Sequence, residues 1–406
     1  LGTITNISGA IITNNSDIHN EGPNTDNKSY FINSGATINN NGHIHNNPGA
    51  TIVNDDKATI SNSGSITSKS GATINNKSRA TITNHSNATI TIHSNATITN
   101  SDSGSITNKF GANIINNGTF ANSDKLDNSG KLHNSGAIAN SGPITNQING
   151  VIYNLGGINN NFHITNSGKL DNTGSINNIK GYIYNSGKLD NSGSITNSDS
   201  GSIDNKNGGK FSNSGTLANS WSITNHSGGT ITNSGTIESY VGSTITNSGG
   251  IANSGGITNN GTITNNSGAT ITNESGGTIT NSNAIANNGV IDNCGGQISG
   301  NISGNAPEEC LRGCISWKSS TGEPCNKVCT NPVDSGIDLN PHGQSLPYYI
   351  CRYNAKSKGK RAGWNEDNSQ DMANCSVNYG SVSTGGSNFD CLCIDTCSVG
   401  QENEKK

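Results

Sequence analysis

Three sets of residues in this sequence have types and spacings that suit chemistry. The first is ten cysteines, all at or beyond Cys294: Cys294, Cys310, Cys314, Cys325, Cys329, Cys351, Cys375, Cys391, Cys393 and Cys397. An even number crowded into one segment reads as a disulfide framework made in an oxidising compartment, which implies an extracellular chain. Cys310 with Cys314 and Cys325 with Cys329 stand four apart, so the Cys-x-x-Cys spacing of a zinc cluster is missing. Cys391 and Cys393 fall on one face of an expected strand and so pair with separate partners. Cys294 is placed to staple the end of the preceding repeats to this segment.

The second set is the phrase Lys-Leu-Asp-Asn, which begins at Lys125, Lys169 and Lys188. It puts a Lys and an Asp outward on either side of a core Leu, as a solvated ion pair. The third is threonine flanking Ile82, Ile90, Ile98, Ile245 and Ile279. Ice-binding surfaces use such Thr-x-Thr pairs, but here they fall in consecutive units that must lie on different faces, and they vanish between about Ile114 and Leu217. They read as good exposed strand formers. His43, His45, His85 and His93 alternate only briefly, so no metal site is expected. No nucleophile, base and orienting acid stand out, so neither catalysis nor a cofactor is expected.

The elements that must position these residues are repeats. Apolar residues recur as Ile4, Ile12, Ile18, then Ile32, Ile38, Ile44 and onward to Ile291 and Ile298, with Leu126, Leu132, Phe120 and Phe211 substituting. Spacings of six or eight give roughly 44 units over the first 300 residues, the self-similarity of a repeat architecture. In most units an Asn stands two positions after the apolar residue, as at Asn6, Asn84, Asn128 and Asn265. Side chains two apart in a strand share a face, so Ile and Asn both point inward while the residue between points out. A buried amide needs partners, and stacking like on like supplies them as an asparagine ladder. Ser-Gly or Asn-Gly then makes the corner, with glycine expected to supply a positive φ. The fold class is all-β, a long β-solenoid over residues 1–305 followed by a small disulfide-rich β domain over residues 306–406. Three units per coil are expected, although Ile203, Leu217, Ile231 and Ile245 keep a spacing of fourteen that favours two.

Composition narrows the function classes. Apolar residues are 29%, aromatics 4% and charged residues 12%, with a net charge of −4. Such averages suggest disorder, but the strict placement of Ile, Asn and Gly argues for folded coils. There is no basic footprint for nucleic acid and no apolar run of the ~18 residues that mark a membrane helix. The chain opens on Leu1 inside a repeat, without a charged-then-apolar leader, and reads as a mature secreted form. The first coil leaves a sheet edge for another chain to pair with, so a homo-oligomer or filament is expected through that N-terminal end.

Two resemblances add to this reading. The Ile-x-Asn repeats resemble the Gly-x-Ile-x-Asn repeats of bacterial haemagglutinin and autotransporter adhesins. In the last quarter, Trp317 to Pro324, Ser335 to Asp338, Tyr348 to Arg352, Gly359-Lys360, Cys375 to Gly380 and Phe389 to Cys393 together resemble one module of the DM-nine family. That resemblance implies a small all-β module of a kind that includes mannose-binding lectins, with Asp338 and Lys360 on the sugar-contacting acid and lysine. The chain departs from the family pattern at Ser381-Val382-Ser383, where Gly-Lys-Glu is usual, and at Lys358, where Pro is usual. The function expected is an extracellular structural rod or filament subunit, with surface glycans as possible ligands of its terminal domain. The alternative is a lectin-type adhesin in which the solenoid is only a stalk.

Overall fold

A computed structural model describes residues 3–21 and 29–309 with their side chains, and beyond them the backbone of three strands. Asp338, Lys360, Cys310, Cys325, Cys329, Cys375 and Cys397 lie outside the described residues, as do the side chains of Cys314, Cys351, Cys391 and Cys393. The chain divides into two units, Leu1–Glu309 and Cys310–Lys406. In the second, Phe389–Thr396 pairs antiparallel with Gly313–Ser320 on one side and Ile350–Tyr353 on the other, with Cys351 in register with Cys391.

The first unit is a three-sided parallel β-solenoid. Its strands form three sheets of fifteen, and successive strands of the chain go to the first, second and third sheet in turn. Ile4–Asn6 opens the first sheet, Ile11–Asn14 the second and Asp17–Asn20 the third. Tyr30–Ser34 then returns to the first sheet, pairing Phe31 with Ile4. At about 4.8 Å per coil, fifteen coils extend roughly 70 Å. Three units per coil are thus observed, and the spacing of fourteen that favoured two is corrected. Ile203 pairs with Ile223 and Leu217 with Ile237, so fourteen residues is one eight-residue unit plus one six-residue unit, short of a full coil.

Local pattern explains the strands. In Thr-Ile-Thr-Asn at Thr81–Asn84, Ile82 and Asn84 are buried and both threonines are half-buried outward. The Ile, Leu and Phe residues form one continuous column per sheet, and each buried side chain contributes about 1.5–3 kcal/mol. Alanines before the strands, such as Ala72, Ala88 and Ala269, are buried as well and close the eight-residue corners.

The inward Asn residues form three ladders of one polarity. Asn146 is representative: its Oδ1 accepts from Asn128 Nδ2 at 2.8 Å, and its own Nδ2 donates to Asn166 Oδ1 at 2.7 Å. The same Nδ2 group also reaches the carbonyls of Gly150 at 3.1 Å and Lys169 at 2.9 Å. The side chain is wholly buried, and this many partners offsets the desolvation of its amide.

Glycines serve two purposes, one of which differs from the sequence expectation. In eight-residue corners Gly268 has φ +79 with open space where a Cβ would sit, as expected of a left-handed turn. In six-residue corners the need is close approach. Gly136 is not left-handed, and a Cβ there would run into the Gly118 carbonyl of the preceding coil. Stacked corners without side chains let the coils approach.

Candidate functional site

The three outward faces are chemically unequal. On the first sheet, from Thr73 to Thr280, the residues flanking each core side chain are Thr, Ser, Ala, Gly and Asn, and the one charge among them is Glu238. Over the same span the Lys, Asp, His and Tyr residues of the strands lie on the second and third sheets.

On the third sheet, register aligns Lys131, Val151, Lys169, Lys188 and Lys210 in one column. The adjacent column holds His133, Tyr153, Asp171, Asp190 and Ser212. Lys169 Nζ bonds Asp171 at 2.7 Å and reaches Asp190 at 3.8 Å, while Lys188 Nζ is 2.7 Å from Asp190. The hydrogen bond to Asp171 raises the Lys169 pKa, against the opposing effect of burial. Tyr153 is stacked on His133 of the coil before at 4.9 Å, and Lys169 of the coil after lies 5.6 Å from its ring centroid. Burial, and then Lys131, lower the His133 pKa.

On the second sheet, His163, Tyr182 and Tyr184 form a ring cluster. His163 is 5.2 Å from Tyr182 and 5.8 Å from Tyr184, and exposed Phe162 packs on it at 4.1 Å. Lys206 stands 5.0 Å over Tyr184, bonds Asp204 at 3.0 Å and reaches His226 Nε2 at 3.2 Å.

The Lys-Leu-Asp phrases are ion-paired outward, but they do not share a face: Lys125 and Asp127, 2.7 Å apart, lie on the second sheet and the other two phrases on the third. Thr81 and Thr83, Thr89 and Thr91, and Thr97 and Thr99 lie on the second, third and first sheets respectively. No single plane collects them. His43 and His45 sit on the third sheet, where His45 stacks on His19 at 4.7 Å; His85 is in a corner, bonded to Ser61 Oγ at 2.9 Å. Among the described residues, no group of three or more His, Cys, Asp or Glu is arranged to hold a metal, and no helix is long and apolar enough to cross a membrane. A narrow channel along the core is lined by Leu217, Ile237, Ile257 and other aliphatic residues, with no polar group to bind or react. Cys294, at the end of Val290–Cys294, is a disulfide cysteine.

Sequence reading missed the Tyr and His clusters. Their members are about one coil apart in sequence, and only the register of paired strands brings His133 to Tyr153 or His163 to Tyr182.

The fold and these faces define a class, the three-sided β-solenoid with asparagine ladders. No family model matches the chain, nor does any curated protein. Among solved structures it is similar to a fragment of TibA hyper-glycosylated by TibC, at 17% identity and a TM-score of 0.29, covering 73% of this chain and 98% of that one. A likeness at that level carries no argument about function.

Proposed function

We propose that the chain is an extracellular structural rod, a stalk or filament subunit that works by stiffness and self-association rather than by catalysis. The observation that supports this most is axial continuity: three fifteen-stranded sheets, with hydrogen-bonded amides running inside each. In the first coil, Asn6, Asn14 and Asn20 all donate to the second coil, to Asn33, Asn40 and Asn46, so their Oδ1 acceptors face the other way. The backbone of a solenoid coil that no further strand covers can pair with a second copy. At the other end Gly304 and Glu309 stand opposite Asn287 and Asn293, and the last amides end on the carbonyls of Asn301 and Asn305.

Negative-stain microscopy and sedimentation at micromolar concentration test the proposal. Paired rods, bundles or filaments are expected; monomers alone, unaltered by a blocking N-terminal fusion, sink it. The lectin reading rests on the motif resemblance around Asp338 and Lys360. Glycan-array binding lost in Asp338→Ala and Lys360→Ala would favour that reading, in which the rod is a stalk.

A further inference from the structure

The repeats are rich in Asn-x-Ser/Thr triplets, the acceptor pattern for N-linked glycans in secreted chains. Two groups of them contrast most, while Asn117, Asn260 and Asn301 belong to neither. Asn76, Asn84, Asn225, Asn265 and Asn273 begin such triplets, yet each is a ladder residue with no exposed surface. Asn84, for example, donates to Asn108 Oδ1 at 2.9 Å and to the Asn113 carbonyl at 2.8 Å. A glycan on that nitrogen would have to stand between coils, so a chain modified there cannot close.

Asn87 and Asn95 are the opposite case. Both are exposed, at eight-residue corners on either side of the strand Thr89–Ile92. Their φ values are +65 and +62, where other corners use Gly71 or Gly268. Asparagine is among the few residues with a side chain that enter this region readily, so the corner keeps its shape while an amide points into solvent. Each is followed by a small Ala, buried under the corner, and then by the half-buried strand-initial Thr89 or Thr97. The Thr89 and Thr97 backbone N–H groups bond the preceding coil through Gly64 and Ala72, both at 3.0 Å, so backbone holds the triplet at the surface; the Asn95 amide adds a long bond to Ser70 Oγ, 3.5 Å away and exposed.

We propose that Asn87 and Asn95 are N-glycosylation sites and that the ladder triplets are not; this rests on the extracellular reading above. The donor is an oligosaccharide carried on a lipid pyrophosphate. The Asn Nδ2 attacks the anomeric carbon, the N–C bond forms, the bond from that carbon to pyrophosphate oxygen breaks with its electron pair leaving on the lipid pyrophosphate, and a carboxylate of the transferase takes the amide proton. The two glycans would stand on both edges of the third sheet at one coil.

The test is to secrete the full chain, behind a supplied leader, from a glycosylating eukaryotic host and map glycopeptides of the folded fraction by mass spectrometry. Glycans are expected on Asn87 and Asn95 and none on Asn76, Asn84, Asn225, Asn265 or Asn273. Thr89→Val and Thr97→Val should each remove one glycan and leave melting unchanged. Bare Asn87 and Asn95, or a glycan on Asn84 in folded protein, overturns the proposal. Because the leader is supplied, failure here is separate from failure of the extracellular reading, which immunolabelling of the native source tests.

Discussion

The second sheet's ladder and the other two differ in one respect. From Asn14 to Asn287 the second sheet has Asn at every rung, and each amide meets the next. The first sheet has Ser239 at one rung, and the third has Ser68 and Ile92 at two. Two of the three buried polar atoms left without a partner among the described residues lie directly after those breaks: Asn259 Oδ1 follows Ser239, and Asn116 Oδ1 follows Ile92. Ser239 turns its hydroxyl to Ser243 at 2.7 Å instead of reaching the next coil, and Ile92 has no donor. A ladder is therefore read rung by rung, and a missing amide costs its successor an acceptor bond.

The largest break should come from a charge in the continuous ladder. Asn146→Asp replaces a donor with a buried acid and should destabilise that coil by on the order of 3–5 kcal/mol at neutral pH. Burial raises the folded pKa of such a carboxyl, so the variant should be closest to the parent below about pH 4 and lose stability as pH rises from there. A melting temperature independent of pH would count against an inward side chain. Because coils open locally, hydrogen exchange is the better probe of position.

Next in size, Asn146→Ala should cost about 2–3 kcal/mol by orphaning both neighbours. Asn259→Ala should cost less, by about 1 kcal/mol, because no amide reaches its Oδ1. Equal losses would show that the break at Ser239 has no energetic meaning. Conversely, Ser239→Asn with Ser243→Ala restores the common unit and should add about 1 kcal/mol of protection to that coil in exchange measurements.

The smallest effect is electrostatic. His133 prefers its neutral form, through burial and then Lys131, so its folded pKa lies below the ordinary value. Stability from this residue is present above about pH 6.5 and declines as pH falls from there toward the folded pKa. Lower protection around Leu132–Asn134, relative to the intrinsic exchange rate at each pH, is expected at pH 5 than at pH 7 in the parent and not in His133→Phe, which keeps the ring on Tyr153.

Much of the rod was legible in the sequence because strand alternation is local. Ile82 and Asn84 face inward by the two-residue period alone, and the Lys125, Lys169 and Lys188 phrases face outward for the same reason. The corner glycines were only half legible. Gly268 needs its φ, but the clash at Gly136 involves a residue eighteen positions earlier, Gly118, and appears only when coils are stacked.

The sequence by itself determined that strands form, which side of nearly every one is buried, with Phe31 rather than the expected Ile32 inward as an exception, and that most turns are closed by units of six or eight residues. Only the tertiary structure decided that three such units close a coil, because closure depends on the sum of three corner angles rather than on any one of them. It also decided which residues meet. With coils varying from 18 residues between Asn122 and Asn140 to 27 between Asn6 and Asn33, neighbours across coils follow no fixed interval. Lys169 therefore reaches Asp190, and Tyr153 meets His133, through backbone pairing that no local pattern encodes.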